Sequence, residues 1–171
     1  ISNTGGFTGL EAIWNYFFWQ ALDLNGYDHI LFITALCAVY EWREWRQLLV
    51  LVTAFTVGHS VTLALATFRL VTIDSGLVEF LIPVTIFVTS LINIIEADES
   101  RDRFNETRRA RRIKYGLALG FGLIHGLGFS NFLRALLGAE ESIALPLFAF
   151  NVGLEVGQIG IVLVVLALMA V

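Results

Sequence analysis

The sequence predicts an all-α fold, a polytopic transmembrane helical bundle of five to six spans with a broken first helix. Three observations carry this expectation. Hydrophobic residues make up 57% of the 171 positions and charged residues only 15%, whereas an ordinary soluble domain is about a quarter charged. Mean hydropathy is +0.75. The apolar residues also gather into runs of about twenty, the length a helix needs to cross a hydrocarbon core of roughly 30 Å. The whole chain, 1–171, reads as a single transmembrane domain.

Four long segments are clear: Leu48 to Phe68, Leu77 to Ile95, Tyr115 to Leu137 and Ile143 to Val171. The last is long enough to tilt or break. Before them, Phe7 to Leu22 is rich in aromatic residues and interrupted by Glu11, Asn15 and Gln20. Asp28 to Tyr40 is apolar but covers only about 20 Å at 1.5 Å per residue, too short to span alone. The intervening Asp23-Leu-Asn25-Gly26 disfavours a continuous helix. The first hydrophobic region is therefore expected as a broken helix or a helix pair.

Basic residues orient the bundle. Seven of the eleven lie between Arg101 and Lys114. With Arg43 and Arg46 they place the 41–47 and 96–114 connections on one side, against Arg69 and Arg134 on the other. The positive-inside rule makes the richer side cytoplasmic. The Arg108-Arg109-Ala-Arg111-Arg112 cluster is interleaved with nearby acids and abuts a span, so it reads as a topology signal and not as a nucleic-acid patch. The lone Cys37 excludes an internal disulfide. The chain opens on Ile1 with no initiator methionine, as a processed or trimmed chain would.

All three histidines lie within or at the mouths of apolar runs, where ionisable groups are costly and mark function by default. They read Asp28-His29, Gly58-His59-Ser60 and His125-Gly126. His59, His125 and Glu155 fall near the middle of their spans, while Asp28-His29 and Glu79 sit at the outer starts of theirs. All six could converge in the outer half of the bilayer. Asn151, Glu155 and Gln158 share one helical face at i, i+4, i+7, as do Thr56, His59 and Ser60. Glu79, Pro83, Ser90 and Asn93 fall close to a third stripe. The spacings Gly116-xxx-Gly120 and Gly122-xxx-Gly126 suit close helix packing.

Imidazoles with carboxylates form a ligand set for a divalent transition metal ion of the nickel, cobalt or zinc class. The expected ligands are His29, His59, His125, Asp28 and Glu155. Glu79, Asp23, Ser60, Asn151 and Gln158 are further ligands or the partners that orient the imidazoles. Exchangeable binding at such a site would make a membrane carrier. An open metal position holding a water would instead make an intramembrane hydrolase of a lipid or lipid-linked substrate, with Ser60 or Asp28 beside that water. A third alternative is a structural polar core, in which Asp28 only caps a helix and Cys37 is a small core residue.

At these residues the chain resembles the HupE/UreJ family of small membrane proteins. The matching motifs are Gly26-Tyr-Asp-His-Ile-Leu-Phe32, Thr53-Ala-Phe-Thr-Val-Gly-His-Ser-Val-Thr-Leu63, Val78-Glu-Phe-Leu-Ile-Pro83, Phe121-Gly-Leu-Ile-His-Gly-Leu-Gly-Phe129 and Phe150-Asn-Val-Gly-Leu-Glu-Val-Gly-Gln158. They occur in order and cover most of the chain. The resemblance implies a permease for nickel or cobalt. Asp23 to His29 is also similar to the His-x-x-x-x-Asp-His signature of nickel/cobalt permeases, with Asp23 where the first histidine would stand. That exchange keeps a ligand but hardens it. The expected location is a bacterial inner membrane. The expected partners are membrane lipids and the metal ion, with no nucleic acid; a homo-oligomer is left open. No P-loop is present, so an ATP-driven process would need another protein.

Overall fold

The computed structural model describes residues 27–99, 108–137 and 144–169. The expected helix at 7–22, the break at 23–26 and Asp23 lie outside these residues. Among them there are five α-helices and a 3-10 turn, consistent with the expected all-α bundle. The helices are α1 (Tyr27–Cys37), α2 (Trp45–Thr67), α3 (Ser75–Glu99), α4 (Arg108–Leu137) and α5 (Ala144–Met169), with the turn at Trp42–Glu44.

By length and composition, three described helical stretches suffice to cross a membrane: Trp42–Thr67, Ser75–Ile95 and Phe150–Met169. These correspond to three of the four long apolar segments. The fourth differs, because the glycines between 116 and 128 together with His125, Ser130 and Asn131 dilute the apolar character of α4. α4 is nonetheless 30 residues long and packs more extensively against α2 than any other helix pair does. α1 is a half-length apolar helix of 11 residues, about 16 Å long.

Side-chain pairings fix the helix directions. Asn151 meets Ser60 and Gln158 meets Thr56, so α5 runs antiparallel to α2. Gly122 lies against the Phe55 backbone and Gly126 against that of His59, so α2 and α4 run parallel. Gly128 faces Ile82 and Val78 while His125 faces Thr85, so α3 and α4 are antiparallel. The helices therefore alternate in direction along the chain.

The α2–α4 contact is a backbone contact. A Cβ added at Gly122 would collide with the Phe55 carbonyl and stand 3.0 Å from the His59 nitrogen. One at Gly126 would collide with the His59 carbonyl and the Thr62 hydroxyl, and one at Gly58 with the Leu119 carbonyl. Of the two expected Gly-xxx-Gly pairs, 122/126 makes this approach. Gly116 and Gly120 face open space.

One apolar cluster occupies the half of the bundle that carries the Trp42–Glu44 turn and the basic start of α4. It includes Phe32, Ile33, Leu36 and Cys37 of α1, Leu48, Leu51, Val52 and Phe55 of α2, and Ala118, Val162 and Leu166. Cys37 is a buried free thiol within it. A smaller cluster joins Leu63 and Leu147 with Phe129 and Phe150. Large apolar side chains also form exposed outer stripes, for example Val50, Val57 and Val61 on α2 and Val152, Val156 and Leu163 on α5. That surface suits lipid contact and not water. Trp42 and Trp45 are exposed at the basic end, with the Arg46 guanidinium over the Trp45 ring, as at a membrane–water interface.

Candidate functional site

Three short elements of sequence deliver the three histidines to one place. His29 is in the first turn of α1, where the neighbouring Asp28 suits the positive end of the helix dipole. His59 follows Gly58, and His125 precedes Gly126. The backbone approach of α2 and α4 at these glycines is what brings the two rings toward each other. The ring centroid of His29 lies 5.3 Å from that of His59 and 5.3 Å from that of His125. The cluster is buried: His59 is 0% exposed, His125 1% and His29 9%.

Aromatic rings enclose the cluster. Phe55 lies 5.8 Å from His29 and 5.1 Å from His125, centroid to centroid. Phe32 is 5.2 Å from His125. Phe129 is 5.7 Å from His29, and Phe150 stacks near His59 at 6.4 Å. Such walls exclude water and leave little choice of partner for a ring nitrogen.

The hydrogen-bond inventory is unusual. Nε2 of His29, both ring nitrogens of His59 and Nδ1 of His125 are buried without a partner. An unpaired buried polar group costs about 1–3 kcal/mol, and here four fall on three neighbouring rings. His125 Nε2 does have a partner, the Thr85 hydroxyl at 2.9 Å. That hydroxyl donates to the Ile82 carbonyl at 2.6 Å, which uses its only proton. The consistent assignment makes Nε2–H of His125 the donor to Thr85, leaving the lone pair on Nδ1, the orphaned atom. Orienting a ligand imidazole through its second nitrogen is the usual device at metal sites. His29 packs edge to face against both His59 and His125, and among the described residues no three donor side chains are already gathered around one point.

The other expected residues distribute differently. Glu155 accepts a hydrogen bond from the Thr53 hydroxyl at 2.9 Å, on the seam between α2 and α5 and not beside a histidine. Gln158 accepts from Thr56 at 2.9 Å, and Asn151 accepts from Ser60 at 2.7 Å. The expected polar faces of α2 and α5 thus meet each other. Asp28 is half-buried in the first turn of α1. Glu79 and Pro83 are exposed, because the buried face of α3 is Val78, Ile82, Thr85 and Thr89. Of the stripe expected through Glu79, Pro83, Ser90 and Asn93, the first two positions are turned outward, Ser90 is half-buried, and Asn93 reaches the Ala35 carbonyl of α1. Thr85 is the site residue that sequence reasoning missed; the signal was a Thr-xxx-Thr-xxx-Asn spacing inside an apolar helix.

No curated protein and no solved structure matches the chain. The sequence profile described as HupE / UreJ protein matches residues 20–171, which include all three histidines and Thr85. With that match over nearly its whole length, and with helices suited to a bilayer, the chain belongs to the HupE/UreJ family of membrane proteins.

Proposed function

We propose that the protein is a membrane carrier for a divalent transition metal ion of the nickel, cobalt or zinc class, bound within the bundle by His29, His59 and His125. The supporting observation is the cluster of three buried imidazoles around His29, each with at least one ring nitrogen that lacks a partner. The two spacings measured from His29 suit a shared ion. With metal–nitrogen bonds of about 2.0–2.1 Å, a ring centre stands about 3.2 Å from the ion, and two tetrahedrally placed rings have centres about 5.2 Å apart. His29 stands 5.3 Å from His59 and 5.3 Å from His125, as two imidazoles on one ion would; closing the site around an ion also requires the His59 and His125 rings to move toward each other. Asp28 adds a carboxylate beside His29. Glu155, held by Thr53, and Glu79, exposed at the outer end of α3, are not beside the histidines and would act only before or after the bound state. Asp23 is the remaining candidate ligand, and Ser60, Asn151 and Gln158 hold α5 against α2.

The family's association with nickel and cobalt uptake agrees with this reading. The hydrolytic alternative has no comparable support, because the Ser60 hydroxyl is engaged by the Thr56 carbonyl and by Asn151. The excess of basic residues on the 41–47 and 96–114 connections supports a cytoplasmic placement of that end, in a bacterial inner membrane. The test is equilibrium binding of nickel, cobalt and zinc to the purified protein and to His59→Ala and His125→Ala. The expected result is near-stoichiometric binding in the parent, weakened by two or more orders of magnitude in both variants. Unchanged binding in the variants, or none in the parent, would overturn the proposal.

A further inference from the structure

The Thr85–His125 contact is one end of a polar line along α3. Thr85, Thr89 and Asn93 stand at i, i+4 and i+8, so they share a face and extend about 12 Å along the axis. Thr85 and Thr89 are buried and Asn93 is half-buried. Thr89 and Asn93 line a small, partly open cavity of about 40 Å³ whose other walls include Phe32, Tyr40, Lys114 and Phe121. Tyr40 and Lys114 belong to the basic end of the bundle, and the Lys114 ammonium lies over the Tyr40 ring at 5.7 Å. At the inner limit of the cavity, Phe32 faces Phe121 at 6.0 Å and His125 at 5.2 Å. One aromatic ring thus separates the cavity from the histidine cluster.

We propose that the Thr85–Thr89–Asn93 face and this cavity form the cytoplasmic half of the route by which a divalent cation leaves the histidines, with Phe32 as the barrier between them. The inference rests on the carrier reading and adds the path to it. A cation moving through an apolar bundle needs oxygen atoms to replace its lost waters, held weakly enough to let it go. Threonine hydroxyls and an asparagine amide are neutral oxygen donors, poorer ligands for a transition ion than imidazole. Nδ2 of Asn93 donates to the Ala35 carbonyl on α1, which fixes the amide and leaves Oδ1 as its acceptor. Among the described residues no carboxylate lines the cavity to trap the ion.

The test is thiol accessibility in the full-length protein, with Cys37→Ala as background. Thr89→Cys, Asn93→Cys and, on the opposite wall, Leu117→Cys are exposed to a membrane-impermeant cationic methanethiosulfonate from each side of oriented vesicles. Phe87→Cys, on the exposed face of α3, is the lipid-facing control. The expected result is labelling of the cavity positions from the cytoplasmic side at least tenfold faster than the control. Thr85→Cys should become reactive from that same side only when combined with Phe32→Ala. Cavity positions as unreactive as Phe87→Cys from both sides, or labelled from the outer side, would overturn the proposal. The readout needs no metal, so a failed route is distinguishable from a failed metal site. Leu117→Cys keeps the test available should a substitution on α3 prevent folding.

Discussion

Replacing Gly122 by alanine adds one methyl group at the tightest point of the α2–α4 contact. Beyond its collision with the Phe55 carbonyl oxygen, that methyl would stand 2.9 Å from the Phe55 carbonyl carbon and 3.0 Å from the His59 nitrogen. Ordinary contact begins near 3.4 Å, so the two helices must separate by at least about 0.5 Å to admit it. Backbone atoms cannot rotate away as side chains do, and overpacking of this kind costs about 1–3 kcal/mol. Alanine also recovers about 1 kcal/mol of helix propensity wherever it replaces a helical glycine. Gly120→Ala supplies the control, since nothing lies within 4 Å of its added methyl. Gly122→Ala should therefore be less stable than Gly120→Ala by about 1–3 kcal/mol in reversible unfolding in detergent micelles. The separation also moves His59 away from His125. A constellation held to within about 0.5 Å loses function when displaced by that amount, so metal affinity should fall with stability in Gly122→Ala and not in Gly120→Ala. Equal stability and equal affinity in the two variants would refute the claim that glycine contact builds the cluster.

Other consequences follow from the same geometry. Thr85→Val removes the acceptor for His125 Nε2–H and should weaken metal binding by about 10–100-fold, with Thr85→Ser restoring it, as read in a competitive binding assay. If the ion binds only the folded cluster, metal at a hundred times its dissociation constant should stabilise the parent by about 2.7 kcal/mol. Thermal unfolding of the parent should shift accordingly, while His59→Ala stays unmoved. Arg69, just past the end of α2, has a φ of 59° in a helix terminus closed by the Leu70 N–H on the Leu65 carbonyl. A left-handed conformation costs a non-glycine residue about 1–2 kcal/mol, so Arg69→Gly should raise stability by up to about 1 kcal/mol in the same unfolding assay.

Much of this arrangement is legible in the residues themselves. Three histidines in apolar runs announce a buried polar centre, because only a specific partner makes their presence there tolerable. The i, i+4, i+7 spacing of Asn151, Glu155 and Gln158 shows that they share a face, and they do face α2 together. Periodicity does not say at which height one helix meets another. Nor does it say how a face is turned: the Asn151–Ser60 and Gln158–Thr56 pairs bring Glu155 level with His59, yet its carboxylate meets Thr53 on the exposed edge of the seam. The rotation of α3 was equally hidden. Glu79 and Pro83 are conspicuous by residue type, yet the inward face is set by Val78 and Ile82 packing toward α4. Thr85 escaped notice because an isolated threonine in a membrane helix commonly bonds its own backbone, as Thr89 and Ser90 also do. The two Gly-xxx-Gly pairs look alike in sequence. Only 122/126 lies beside small Gly58 on the facing helix, where the backbones can touch.

The most direct test of the account is X-ray absorption at the metal edge of protein loaded with one equivalent of cobalt or zinc. An ion held by the cluster should show imidazole scattering from three histidines with metal–nitrogen distances of about 2.0–2.1 Å, reduced to two in His59→Ala where that variant retains any metal. A shell made of oxygen alone, or an imidazole count unchanged by the substitution, would contradict it.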